Sequence, residues 1–529
     1  MAGDAFLELT LRVGVTGQRH GLDAEAVRLS VARILEVLPG KLAPSGRTKV
    51  NLVVVSPLAD GADRIAALAG LEAGARLWVP FPAKWDDYAL TFGEGQPEDV
   101  RARARDEAEW LRHQAAWAGR VSYRSGDDAY VDLGRAVVDH CDVLIAIIDP
   151  SHPAKPGGSA QTLAYARGRH VPVVRVDPRG HTTWEFRQVR KAREVERFNT
   201  LRPSPGYAER VAAEVRRIVP ARATDDGFTQ AVRAQAEWFV PFIARADDLA
   251  IAYRAKFHAA GDAVALFALS AVAIGTAQSL FGWSGKWTLL EAALLIAGVL
   301  LVVAATRYGL PARWLCHRAL AERLRGALFL AVAGVTEEPE HGPHRDDEGE
   351  PWVIEAADAI WAARPQPAAL PSATLDRREL LLERWVLHQR DYHESAQKRA
   401  TWHWHFTRRA AFIAAILTAV CATLHGAGAI WHVEVLETRP GSSWLTALAI
   451  LIPAAAGALA AVGELREWRH NAERFERMAS VLDDVAGRFA EVGQDGDVND
   501  LARLADAVIR DENRDWFGLM LGRELEPMA

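Results

Sequence analysis

Residues 288–306 read TLLEAALLIAGVLLVVAAT, an apolar run broken by a single charged residue, Glu291. A helix needs ~20 predominantly apolar residues to cross about 30 Å of hydrocarbon, so this stretch predicts a membrane span. Three more runs share its length and character: Asp262 to Phe281 ahead of it, then Ala410 to Ile430 and Trp444 to Gly463 downstream. Buried helix pairs of a large soluble protein are the alternative. Four such runs with aromatic ends read better as two transmembrane hairpins. Trp283, Trp287, Trp431 and Trp444 stand at those ends, where an indole can bury its ring and keep its N–H in the wet interface. Trp78, Trp110 and Trp117 lie far from any run and are expected in an ordinary core.

Charge sets the orientation. Arg254 and Lys256 precede the first run, and Arg307, Arg313, Arg318, Arg323 and Arg325 follow the second. Lys398, Arg399, Arg408 and Arg409 precede the third, and Arg466, Arg469, Arg474 and Arg477 follow the fourth. The loops inside the hairpins hold only Lys286 and Arg439, the latter offset by Glu434 and Glu437. The positive-inside rule then predicts four spans with both termini and the central segment cytoplasmic. The hairpins also look duplicated: Ala321-Glu322-Arg323-Leu324 follows the second run, and Ala472-Glu473-Arg474-Phe475 follows the fourth, 151 residues later. Small residues such as Ala454-Ala455-Ala456-Gly457-Ala458 suit close helix association and a homo-oligomer. No midplane carboxylate or broken helix marks a transporter site.

The rest of the 529-residue chain bounds what else to expect. Its 62 Lys+Arg against 68 Asp+Glu give a net charge of −6, with no basic excess for a nucleic-acid groove. Cys141, Cys316 and Cys421 have no ligand-like spacing. Met1 to Arg12 lacks the basic start and long apolar core of a cleavable signal. Glu337 to Glu350 is acidic and rich in Pro, Gly and His, a linker composition in which His341 and His344 read as solvated. The expected domains are 1–225, an α/β unit; 226–335, the first hairpin; 336–375, a linker; and 376–529, the second hairpin with C-terminal helices.

In the first unit strand-like and helix-like stretches alternate. Leu11 to Val15, Val50 to Val55, Arg76 to Val79, a segment at Val121, Val143 to Ile148 and Val171 to Val176 read as strands. Continuous apolar strands between helices imply a parallel sheet covered on both faces. Three loops at strand carboxyl ends carry ligand-binding chemistry. Gly14-Val15-Thr16-Gly17 offers tight-turning N–H groups and a hydroxyl, with Arg19 beside it. Ser56 opens a loop running to Asp60-Gly61-Ala62-Asp63-Arg64, whose carboxylates can cap a helix or accept ribose hydroxyls. Gly157-Gly158-Ser159 precedes another helix, whose bare amides and dipole favour a phosphate. Tyr88 is available to stack on a base.

These motifs, in this order, with Pro80-Phe81-Pro82 and Cys141-Asp142-Val143-Leu144-Ile145-Ala146 between them, resemble the SLOG superfamily. That group includes the Lonely-guy phosphoribohydrolases, the DprA proteins and the N-terminal domains of TRPM channels. The resemblance covers roughly residues 8 to 180 and implies a Rossmann-like α/β fold. The two hairpins resemble SLATT-type modules, on topology and the Ala-Glu-Arg helices. Together these resemblances imply a bacterial plasma-membrane effector of antiviral defence. It would sense a nucleotide-derived signal, an ADP-ribose derivative or a cyclic nucleotide, made by a TIR-type or nucleotidyltransferase partner, and open a pore or disrupt the membrane. The Lonely-guy motif Pro-Gly-Gly-x-Gly-Thr-x-x-Glu falls on Pro156, Gly157 and Gly158 but meets Ala160, Gln161 and, at its catalytic glutamate, Ala164. That departure implies binding without hydrolysis. Asp60 and Asp63 keep a membrane-anchored nucleoside-phosphate hydrolase open as the alternative.

Overall fold

The computed structural model describes residues 5–149, 155–186, 188–220, 227–337, 351–366, 374–431, 439–491 and 498–521. The chain forms two compact units, Ala5–Arg202 and the part from Pro203 onward. Half of the expected linker 336–375, the loop within the second hairpin with Glu434 and Glu437, and His341 and His344 lie outside the described residues.

The first unit is built on β1 (Leu9–Gly17), β2 (Val50–Val55), β3 (Arg76–Phe81), β4 (Trp117–Arg120), β5 (Val143–Ile147), β6 (Val173–Val176) and β7 (Thr182–Trp184). They pair in the order β4-β3-β2-β1-β5-β6-β7. All neighbours are parallel except β6 and β7. Every residue of β5 is buried, because helices cover both faces of the sheet and leave no polar side to alternate with. The helices are α1 (Ala24–Leu42), α2 (Ala62–Glu72), α3 (Trp85–Ala89), α4 (Glu98–Gln114), α5 (Asp127–Asp139), α6 (Ser159–Gly168) and α7 (Arg190–Thr200). In α1, Asp23 caps the start by accepting from the Ala26 N–H, and Val27, Val31, Ile34, Leu35 and Leu38 form the buried stripe. Trp110 and Trp117, expected in the core, are 50% and 44% exposed.

The second unit is helical: α8 (Tyr207–Ile218), α9 (Gly227–Phe281), α10 (Trp287–Arg307), α11 (Leu310–Ala333), α12 (Pro351–Ala362), α13 (Thr374–Leu381), α14 (Leu387–Trp431), α15 (Arg439–Leu465), α16 (Trp468–Glu491) and α17 (Val498–Leu521). One π-helical turn, Leu382–Val386, joins α13 to α14. Helix α12 falls within 336–375, and its Trp352, Val353, Ile354, Ala357, Ile360 and Trp361 are buried. That part of the expected linker is therefore core.

Four helical segments are long and apolar enough to cross a membrane. They coincide with the four apolar runs, and their side chains are largely uncovered: Leu289 is 76% exposed, and Leu266, Leu300, Phe412 and Leu448 are also exposed. So much contiguous apolar surface is not tolerated in water by a monomer. The hairpins meet through α9 and α15. Gly261 lets them touch, since a Cβ there would lie 2.0 Å from Leu465 Cδ2. Arg466 pairs with Asp262 at 2.6 Å beside it, and Phe281 packs on Trp444 at the far end. After each hairpin the chain breaks at one left-handed residue, Gly309 (φ 59°) and Glu467 (φ 50°), before α11 and α16 begin.

Candidate functional site

The order of the sheet reverses around β1. Three strands follow it on one side, and then β5 returns to the other. In open parallel sheets such a reversal leaves a crevice at the strand carboxyl ends, because the two connections leave in opposite directions. Here that edge carries the end of β1 at Gly17 and the end of β5 at Ile147.

The two loops are stitched together. Gln18 donates its backbone N–H to the Ile147 carbonyl at 3.0 Å, and its side-chain oxygen accepts from the Asp149 N–H at 3.1 Å. Ser159 Oγ donates to the Gly17 carbonyl at 2.5 Å. Gly17 must be glycine: a Cβ would lie 2.2 Å from Ala62 Cβ and 2.7 Å from the Ile147 oxygen. Gly157 has φ +69°, and a Cβ there would lie 2.5 Å from Tyr130 Cβ. Its N–H donates to the Gln161 side chain at 2.7 Å, so the residue that departs from the Lonely-guy pattern closes this loop. Gly158 caps α6 without a side chain to accept the first-turn amides, which leaves the positive end of the helix to an anion. Residues 150–154, leading into this loop, lie outside the described residues.

Asp63 lies in the first turn of α2 and is 7% exposed. Its Oδ1 has no hydrogen-bond partner among the described residues. Burial pushes its carboxyl up to about 7, against the opposing pull of Arg19 and the Ala59 amide. Arg19 itself is exposed. A protonated Asp63 can donate to a phosphate or ribose oxygen, which an ionised one cannot. Because the folded state holds this proton more tightly than the unfolded chain does, its stabilising effect is present below about pH 4 and is lost as pH rises to about 7. Asp63→Asn is therefore expected to remove that dependence and to stabilise the protein at pH 8 by about 1–3 kcal/mol. Thermal denaturation of the full-length protein from pH 5 to 8 reads this; parallel curves for the two proteins would sink it.

The expected site residues thus divide. Thr16, Gly17, Arg19, Asp63, Gly157, Gly158 and Ser159 come together at or beside the crevice. The others build its support. Gly14 makes room for Cys141, whose Sγ would lie 2.8 Å from a Cβ there. Ser56, fully buried, donates to the Asp63 carbonyl at 2.8 Å and accepts from Leu58 N–H at 3.3 Å, holding Leu58 at φ +62°. Asp60 accepts from Gly93 N–H at 2.8 Å and pairs with Arg64. Gly61 turns into α2 with φ +78° against the Arg19 carbonyl. Arg64 also donates to the Ala104 carbonyl at 2.7 Å. Tyr88 is 2% exposed, donates to the Pro57 carbonyl at 3.2 Å and packs on Phe92, so its ring belongs to the core. Sequence reasoning named neither Gln18 nor Gln161 as a site residue. A glutamine directly after a glycine turn, and another in the first turn of a glycine-capped helix, were the available signals. A groove of about 480 Å³ opens beside α2 and α4, lined by Gly61, Arg64, Arg103 and Glu107 among others, and not at the crevice itself.

No protein-family model, curated protein or solved structure matches this chain.

Proposed function

We propose that the chain is a membrane effector whose N-terminal unit, a Rossmann-like SLOG-type domain, senses a nucleotide-derived signal of the ADP-ribose type. The SLATT-like hairpins then open a pore in a bacterial plasma membrane, with both termini cytoplasmic, as part of antiphage defence. A TIR-type or nucleotidyltransferase enzyme would supply the signal. One observation supports the reading most: at the carboxyl ends of β1 and β5 the Gly17 turn is stitched to the start of α6, whose first turn has no side-chain cap, and Asp63 at the start of α2 is buried with one oxygen lacking a hydrogen-bond partner among the described residues. Gly157, Gly158 and the first turn of α6 hold a phosphate, Arg19 pairs with it as a charge-assisted donor, and Asp63 bonds a ribose hydroxyl. The uncovered apolar helices supply the membrane half.

A second reading is a membrane-anchored nucleoside-phosphate hydrolase. It is favoured by an Asp63 carboxyl near 7, the range in which a general acid or base works best. The full-length protein in liposomes loaded with a self-quenching dye separates the two. Leakage on adding ADP-ribose or cyclic ADP-ribose, without turnover, supports the effector. Release of free base from AMP supports the hydrolase. Leakage that is equal with and without ligand defeats both.

A further inference from the structure

The helical unit has a solvent-open cavity of about 990 Å³ between α8, α9, α11, α14 and α16. Among the described residues that line it are eight arginines against four carboxylates. Four of the arginines are answered within the lining: Arg210 by Asp248 at 2.8 Å, Arg217 by Glu214 at 2.7 Å, and Arg318 and Arg325 by Glu322 and Asp247. Two are answered from outside it, Arg466 by Asp262 and Arg474 by Glu512. Arg254 and Arg399 are left, with no ion-pair partner among the described residues. The cavity therefore carries uncompensated positive charge.

Its placement narrows the ligand. Arg254 lies about two turns before the first apolar run and Arg399 about three turns before the third. Trp468 begins α16 just beyond the end of the fourth span, with the His403 ring stacked on it at 4.9 Å. His258 and His403 also line the cavity and bring polar ring nitrogens beside the arginines. Forked guanidinium groups facing one space match the geometry of phosphate oxygens, and the volume is that of a nucleotide- or headgroup-sized guest. Basic pockets between membrane helices on the positive side are where anionic headgroups bind.

We propose that this cavity is a second anion site, taking a phosphate-bearing group held by Arg254 and Arg399 at the inner end of the membrane helices. The group comes either from an anionic lipid headgroup or from a soluble polyphosphate. The site is separate from the N-terminal crevice and does not depend on the nucleotide reading.

The test is thermal unfolding of the full-length protein in detergent, titrated with phosphatidylglycerol, phosphatidylcholine or inorganic pyrophosphate. Each titration is repeated on Arg254→Gln/Arg399→Gln and on Arg19→Ala. Saturable stabilisation by phosphatidylglycerol but not phosphatidylcholine assigns a lipid headgroup. Stabilisation by pyrophosphate assigns a soluble ligand, and a response to both assigns the shared phosphate. In each case half-saturation should rise about 10-fold in the double variant, as expected for losing charge-assisted contacts, and stay unchanged in Arg19→Ala. Both arginines are exposed, so the double variant should fold, and its far-ultraviolet circular dichroism checks this. The wild-type titrations stand alone: no saturable response to either anion overturns the proposal, as does equal affinity in the double variant.

Discussion

Gly157→Asp is expected to abolish ligand-triggered leakage and to weaken ADP-ribose binding at least about 100-fold. Two effects add. At φ +69° an L side chain is strained, and its Cβ would lie 2.5 Å from Tyr130 Cβ, so the loop has to move. The new carboxylate would then sit at the proposed phosphate position, and like charges repel. Calorimetric titration of the full-length protein reads the affinity, and dye release reads the output. Arg19→Ala serves as its partner because Arg19 is exposed and its loss should leave stability intact. It should weaken binding about 10-fold through the lost charge-assisted bond. If Arg19→Ala binds ADP-ribose as the wild type does, the crevice is not the site.

The second large effect concerns stability. Glu322 stands between Arg318, 2.9 Å away, and Arg325, which also reaches Asp247 at 2.9 Å. Its side chain is 10% exposed. Removing one member of such a group leaves its partners desolvated and unmatched, so Glu322→Ala should cost about 2–4 kcal/mol. The matching glutamate of the second Ala-Glu-Arg motif, Glu473, pairs with Arg469 at 3.1 Å, but those side chains are 52% and 65% exposed. Glu473→Ala should cost under about 1 kcal/mol. Denaturant titration of both variants in detergent checks the contrast. Equal losses would contradict it.

The difference between these glutamates shows where the sequence is mute. By sequence the two motifs stand 151 residues apart, while the left-handed breaks at Gly309 and Glu467 are 158 apart. Measured from its own break, the first motif lies seven residues deeper along the return helix. That is about two turns, enough to keep a helix face and change the neighbours. The Ala-Glu-Arg tripeptide is the same, and the surroundings decide what it does. A similar limit applies in the first unit. Continuous apolar strands such as Val143–Ile147 were readable because burial on both faces leaves an unbroken signature. The edge strand Thr182–Trp184 is short and half polar, and offers none. Helix α12 hides behind the acidic composition of the residues ahead of it, although Val353, Ala357, Ile360 and Trp361 recur at helical spacing and are buried. Within the site, the glycines announced themselves, but Asp60 and Asp63 are indistinguishable by type and loop. Only Gly93 and Arg64, brought in by the tertiary fold, commit Asp60 and leave one oxygen of Asp63 open.

Helix α9 runs unbroken for 55 residues, about 80 Å at 1.5 Å per residue. Its apolar run accounts for only about 30 Å of that. Pivoted where the run begins, such a rod would be a lever whose N-terminal arm, about 50 Å, outreaches its apolar arm. A 5° tilt displaces the N-terminal end by about 4 Å and the far end by about 2–3 Å in the opposite sense. A torque about the long axis passes along it undiminished wherever the hydrogen-bond ladder is continuous. Pro241, inside the N-terminal arm, removes one rung of that ladder. Under the membrane reading proposed above, a small push at the N-terminal end would reach the apolar end reduced in distance and correspondingly increased in force.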